Sequence, residues 1–240
     1  MSILTEYRKD LATLKNLTAF ILADHNFEKW DEDLVEEAIN DAVLDLAIRA
    51  QMIKDEIAIH IEEDRYIYDV KGWITAANNA VSGTNKEFGF LNRVGLSGVV
   101  EPSLMPSSYA TINFSQQKIN NGQGLYANRF YIDLLSPGKL QVIPPDADGE
   151  ALPDEAGNIQ VLYVGLPDYM DNTTDFPDSM VAPQFHDSIA IGAAAILLYE
   201  GNEGDVQRAI GLDNEFTRLI AMAVASEYDG ETNYRGARPA

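Results

Sequence analysis

Apolar residues recur at helical spacing in the first fifty residues and again in the last fifty. Between them the pattern changes to short alternating runs separated by Gly, Pro, Ser and Asn. Leu4, Tyr7, Leu11, Leu14, Leu17 (or Thr18) and Ile21 follow the spacing of one helix face, which predicts an amphipathic helix over Ile3 to Ala23. Asp24-His25-Asn26 interrupts it. A longer helix is predicted from Asp31, a favourable N-cap, with Glu32 and Asp33 in the first turn, where carboxylates complement the helix dipole. Trp30 is placed to pack back on Leu34 or Val35 as a hydrophobic staple. Val35, Ile39, Ala42, Val43, Leu46, Ala50, Ile53 and Ile57 form its apolar stripe, and Glu36, Glu37, Asp41, Asp45, Arg49 and Lys54 its polar face.

Beyond His60 the period shortens to two. Arg65 to Val70 alternates like a strand, and Trp73-Ile74 follows a Lys-Gly turn. Residues 78–124 hold few periodic runs and are expected to be a loop-rich excursion, with Tyr109 to Phe114 as a candidate strand. Phe130 to Leu134 and Lys139 to Ile143 flank Ser136-Pro137-Gly138, the pattern of a hairpin. An acidic loop, Asp146 to Asn158, leads to a strand over Ile159 to Val164. A second acidic loop runs from Leu166 to Pro183. Two closing helices are predicted over Pro183 to Glu200 and Asp205 to Glu227, broken at Gly201 to Gly204, and the remaining tail, Asp229 to Ala240, is expected to be flexible.

Strands clustered between helices, without βαβ alternation, predict an α+β fold: a helical bundle of two N-terminal helices and a C-terminal helical hairpin, with an inserted antiparallel β-rich domain. The expected divisions are 1–62, 63–182, 183–228 and 229–240.

Composition narrows the function classes. The 240 residues are 46% hydrophobic, 23% charged and carry a formal net charge of −21. Such a chain does not grip nucleic acid by neutralising phosphates, though a negative wall can surround DNA without holding it. It has no cysteine, which excludes disulfides and thiolate metal sites. No signal peptide is read at the N-terminus, and no apolar run reaches the ~18 residues of a membrane span.

Catalytic patterns are weak. Asp146, Asp148 and Glu150, with Asp154 and Glu155, suggest a hard-cation loop, but the spacing departs from an EF-hand and favours a solvated hairpin loop. His186-Asp187 invites an acid–base reading; neighbouring helical residues do not face one another, so the pair is expected to open a packing helix. His25 and His60 stand alone. Ser97 lacks the full Gly-x-Ser-x-Gly frame, and no phosphate-binding glycine loop occurs. The small residues Gly192-Ala193-Ala194-Ala195 permit close helix approach, within the chain or between subunits.

Several segments, taken in order, resemble the head–tail adaptor (connector) proteins of tailed bacteriophages. They are Asp31 to Ala42 opening a long helix, Tyr66 to Val70 with Trp73-Ile74, Gly138 to Pro145, Ile159 to Val164 with Leu166-Pro167, and Pro183 to Asp187 before the closing helices. The stretch 78–124 departs from the short linker of that pattern. The resemblance implies a structural virion protein of the neck, made in the host cytoplasm, with no catalysis, cofactor or metal. It implies a ring, typically dodecameric, that docks below the portal, extends the DNA channel without sequence-specific binding, and receives the tail or nozzle, away from any membrane. It also implies that the C-terminal tail reaches the portal, making Tyr234, Arg235 and Arg238 the candidate contacts. The alternatives are another neck or tail-tube-proximal virion protein, or an acidic soluble hydrolase.

Overall fold

The computed structural model describes residues 8–60, 67–80, 85–96, 105–106, 129–132, 138–142, 158–201 and 205–236. The fold mixes helices with small, mainly antiparallel sheets, an α+β arrangement. It divides into two compact units, one formed by Met1–Ile53 with Leu166–Ala240, the other by Lys54–Gly165.

The helical unit begins with α1 (Leu11–Leu22). Asp10 caps it, accepting from the Thr13 N–H at 2.8 Å, and Ala23 closes it in the left-handed conformation. The expected start at Ile3 therefore moves to Leu11 among the described residues; positions 1–7 lie outside them. The first free N–H groups of α1 are taken by a loop from the far end of the chain: Leu11 donates to the Asp175 carbonyl (2.8 Å) and Ala12 to that of Thr173 (3.0 Å). Of the two alternatives along its face, Thr18 is buried and Leu17 is not.

Helix α2 (Glu32–Ala50) starts as its sequence predicts, with Asp31 accepting from the Asp33 N–H at 3.0 Å. Trp30 and Val35 share the core, whereas Leu34 is 44% exposed, which decides the staple in favour of Val35. The helix does not continue to Ile57. Gln51 turns left-handed (φ 53°) and the chain re-emerges as a strand, β1 (Lys54–His60). Ile53 and Ile57 are four apart, which imitates a helix; Ile57 and Ile59 are buried while Glu56, Ala58 and His60 are exposed, and that alternation is the signal the chain obeys.

A short 3-10 turn (Pro183–Phe185) feeds α4 (His186–Tyr199), and α5 (Val206–Gly236) follows. Helix α4 is buried on nearly every side and packs against α1, α2 and α5. That explains its composition: a helix enclosed by three others needs no polar face. Its small residues set how near α5 comes. A Cβ placed on Gly192 would lie 2.9 Å from the ring of the buried Phe216. Gly192→Ala is accordingly expected to destabilise the protein by about 1–2 kcal/mol, overpacking outweighing the gain in helix propensity. Denaturant unfolding checks this, and Gly211→Ala, where a Cβ meets nothing within 4 Å, is the matched control.

The last helix runs past its expected end at Glu227. α5 continues to Gly236, so most of positions 229–240 extend a helix. Gly230 invites a stop, but one interior glycine costs only about 1 kcal/mol and the helix runs through it.

Among the described residues the β unit has two sheets. One has strand order β1-β7-β3 and is antiparallel throughout, with β7 (Asn158–Gly165) central and β3 (Phe88–Leu96) outside it. The other has order β2-β6-β5-β4, from β2 (Ile67–Asp69), β6 (Lys139–Val142), β5 (Arg129–Ile132) and β4 (Met105–Pro106). Strands β5 and β6 are the hairpin expected around Pro137-Gly138, paired antiparallel from Phe130 with Val142 to Ile132 with Leu140. Two expectations fail here. Trp73-Ile74 belong to α3 (Val70–Ala80), because the Asp69 carboxylate accepts from the Gly72 N–H and starts a helix where Lys-Gly suggested a turn. β3 occupies part of the stretch expected to be loop-rich, with no strand expected over 88–96; two register shifts break its alternation and hide it from a period-two reading. The candidate strand Tyr109 to Phe114 and the acidic loop Asp146 to Glu155 lie outside the described residues.

The domain boundaries shift for the same reasons. The β unit gains β1 at its start and ends at Gly165 rather than 182. Residues 166–182 belong with the helices, because Met170 and Val181 are buried in the helical core.

Candidate functional site

Among the described residues, the His186-Asp187 pair makes contacts that hold the fold. His186 is fully buried at the start of α4. Its Nδ1 accepts from the Lys9 backbone N–H at 3.1 Å, and its Nε2 lies 3.3 Å from the Val181 carbonyl oxygen. Those partners require a neutral ring protonated on Nε2, with Nδ1 as acceptor. Burial pushes its pKa below the ordinary histidine value, the neighbouring Arg8 charge adding to this. Asp187 turns outward and pairs with Lys9 Nζ at 2.7 Å. The two side chains thus grip different atoms of one residue and do not form an acid–base pair.

The sign of the His186 effect on stability is definite. Its folded pKa is depressed, so the unfolded chain binds the extra proton. The stabilisation is complete above the unfolded value of about 6.5 and declines as pH falls below it, by up to about 1.4 kcal/mol per pH unit. His186→Gln is expected to flatten this slope below about pH 6.5 in denaturant titrations. Further acidification removes the contributions of carboxylates such as Asp10 and Asp24, whose pKa values are held down by hydrogen bonds: Asp10 chiefly through Thr13, Asp24 chiefly through the Trp30 N–H.

Three further polar groups carry structure. Lys15 is buried between α1 and α2, 2.7 Å from Glu36 and 3.3 Å from Glu32. Burial alone would lower its pKa, but the two carboxylates hold it above the usual lysine value. Asn40, buried on α2, accepts from the Met170 N–H (2.9 Å) and donates to the Met170 carbonyl (3.1 Å), so one side-chain amide satisfies a whole backbone residue 130 positions away. In the β unit the Tyr163 hydroxyl lies 2.9 Å from Asp55 Oδ2 and 2.8 Å from the Lys86 carbonyl oxygen. Burial, with the Asp55 carboxylate beside it, drives that phenol well above its ordinary range. Nothing in the sequence marks Asn40, Lys15 or Tyr163, whose partners lie on other elements.

No group of three or more metal-binding side chains occurs among the described residues. The open depression of about 600 Å³ along α3 is lined by Asp69, Lys71, Gly72, Thr75 and Gly138, and its carboxylate is used as the α3 cap.

The sequence-based contact residues sit at the chain's end. Tyr234 and Arg235 fall in the last turn of α5, and Arg238 lies outside the described residues. At 1.5 Å per residue the 31 residues of α5 span about 46 Å, against about 21 Å for the 14 of α4. Among described side chains the last buried one on α5 is Ala223.

No protein-family model matches the chain, and no curated protein matches it significantly.

Proposed function

We propose that this chain is a structural virion protein, the head-to-tail adaptor of a tailed bacteriophage. Copies assemble as a ring, a dodecamer by analogy with the family it resembles, below the portal. The ring extends the DNA channel and presents the docking surface for the tail or nozzle. The protein acts at the neck of the virion and is made in the bacterial cytoplasm.

The observation that carries this reading is the order of the chain. It builds α1 and α2, leaves the helical unit after Ile53 for a strand-rich unit, and returns at Leu166 to finish with α4 and α5. We take this as a helical bundle with an inserted antiparallel β-rich domain, the organisation that the sequence pattern predicts and whose segments, in order, carry the resemblance. The charge of −21 suits a channel wall that DNA must pass without adhering. Among the described residues, His186, Asp187, Lys15 and Asp55 are engaged in internal contacts.

Negative-stain microscopy of the purified chain mixed with a portal ring tests the proposal. A second ring stacked coaxially on the portal is expected. A chain that stays a compact monomer and never engages a portal overturns it.

A further inference from the structure

The contacts that gather around Lys9 have a consequence beyond stability. Residues 8–10 run along the first turn of α4 before α1 begins. The Lys9 amide is held by His186 Nδ1, its ammonium by Asp187, and the Arg8 guanidinium rests 4.8 Å from the centre of the Phe176 ring. Two of these are weak by nature. The ion pair is exposed to solvent, with Asp187 67% accessible, and such pairs contribute little. The cation–π contact lies on a ring that is 44% exposed. The bond to His186 is the one made to a fully buried ring, and it exists only while Nδ1 is unprotonated.

We propose that His186 is a proton-operated latch, whose neutral ring clasps the segment ahead of α1 to α4 and whose protonation releases it. A proton on Nδ1 would point at the Lys9 N–H, placing two donors 3.1 Å apart, while the Nε2 bond to Val181 stays intact. The break therefore falls on the N-terminal side alone. The charged groups around the ring set the direction. Arg8, on the segment itself, opposes the imidazolium; Asp187, on α4 and paired with the Lys9 ammonium, favours it. The turn bearing Val181 presents its carbonyl to the ring and is braced by Asp178, which accepts from the Met180 N–H at 3.0 Å through its side chain and from the Val181 N–H at 2.8 Å through its carbonyl. Once the ring is charged, repulsion from Arg8 adds to the lost bond. The cap on α1 does not depend on the latch, since Asp10 bonds to Thr13. Release thus stops at the start of that helix.

The Lys9 amide reports the event directly. In protein labelled with 15N-lysine, with the Lys9 signal assigned through Lys9→Arg, that amide is expected to be protected from exchange at pH 8. On acidification it should lose protection with a midpoint below about 6.5, by about tenfold per pH unit, while the near-UV circular dichroism is unchanged. In His186→Gln the Lys9 signal should show no such transition. A Lys9 amide indifferent to pH, a transition that survives in His186→Gln, or one that coincides with loss of the near-UV signal overturns the latch.

Discussion

Removing residues 229–240 is expected to abolish attachment to the portal and leave the helical unit folded. The fold tolerates the cut because the buried side chains described on α5, namely Ala209, Phe216, Ile220 and Ala223, all precede it. The deleted part is the end of a helix that outruns its neighbour α4 by more than half its own length, together with Arg238. Portal pull-down with the truncated protein, alongside its thermal melt, gives the two readouts. Attachment undiminished by the truncation would remove the C-terminal end from the contact. Tyr234→Ala and the double change Arg235→Ala with Arg238→Ala should each weaken attachment part of the way, since an aromatic and paired arginines are common anchors of an interface.

The largest loss of stability is expected from Asn40→Ala, about 2–4 kcal/mol, because it leaves the N–H and C=O of Met170 without partners in a buried position. A fall of roughly 5–15 °C in Tm corresponds to that change. Asn40→Asp separates the two bonds: the carboxylate still accepts from the N–H but faces the carbonyl with no donor, so it should fall no less far. A melting temperature within about 2 °C of wild type for Asn40→Ala would show that Met170 finds other partners. Loss at this site should also loosen the loop that covers the start of α1, because Met170 opens the segment leading to Thr173 and Asp175.

Much of this architecture could be read from residue spacing. The start of α2 at Asp31, the hairpin at Pro137-Gly138, the central strand from Ile159 and the enclosed helix after Pro183 each combine a boundary residue with a periodic run. What escaped did so for local reasons. Gln51 adopts a left-handed conformation with no glycine to announce it, so α2 ended earlier than its stripe suggested. Gly72 looked like a turn, yet a Cβ there would come within 2.9 Å of the Asp69 carboxylate, so the glycine makes room for a helix cap. β3 was obscured by its bulges. The candidate site was less legible still. His186-Asp187 was visible as a pair, but its joint hold on Lys9 spans 177 positions and depends on tertiary contact that no spacing encodes.

The pairing of β1 with β7 has a consequence for how such a chain is put together. Lys54 lies opposite Val164, so the first and penultimate residues of the β unit are cross-strand neighbours, about 5 Å apart between Cα atoms. The two crossings into and out of that unit are therefore side by side. A tight turn of a few residues joining Ile53 to Leu166 would close the same gap, and every residue of the helical core would remain in the chain. The β unit is in this sense a cassette: it can be exchanged, enlarged or excised through a single pair of adjacent cuts, with the helices around α4 unaltered in sequence.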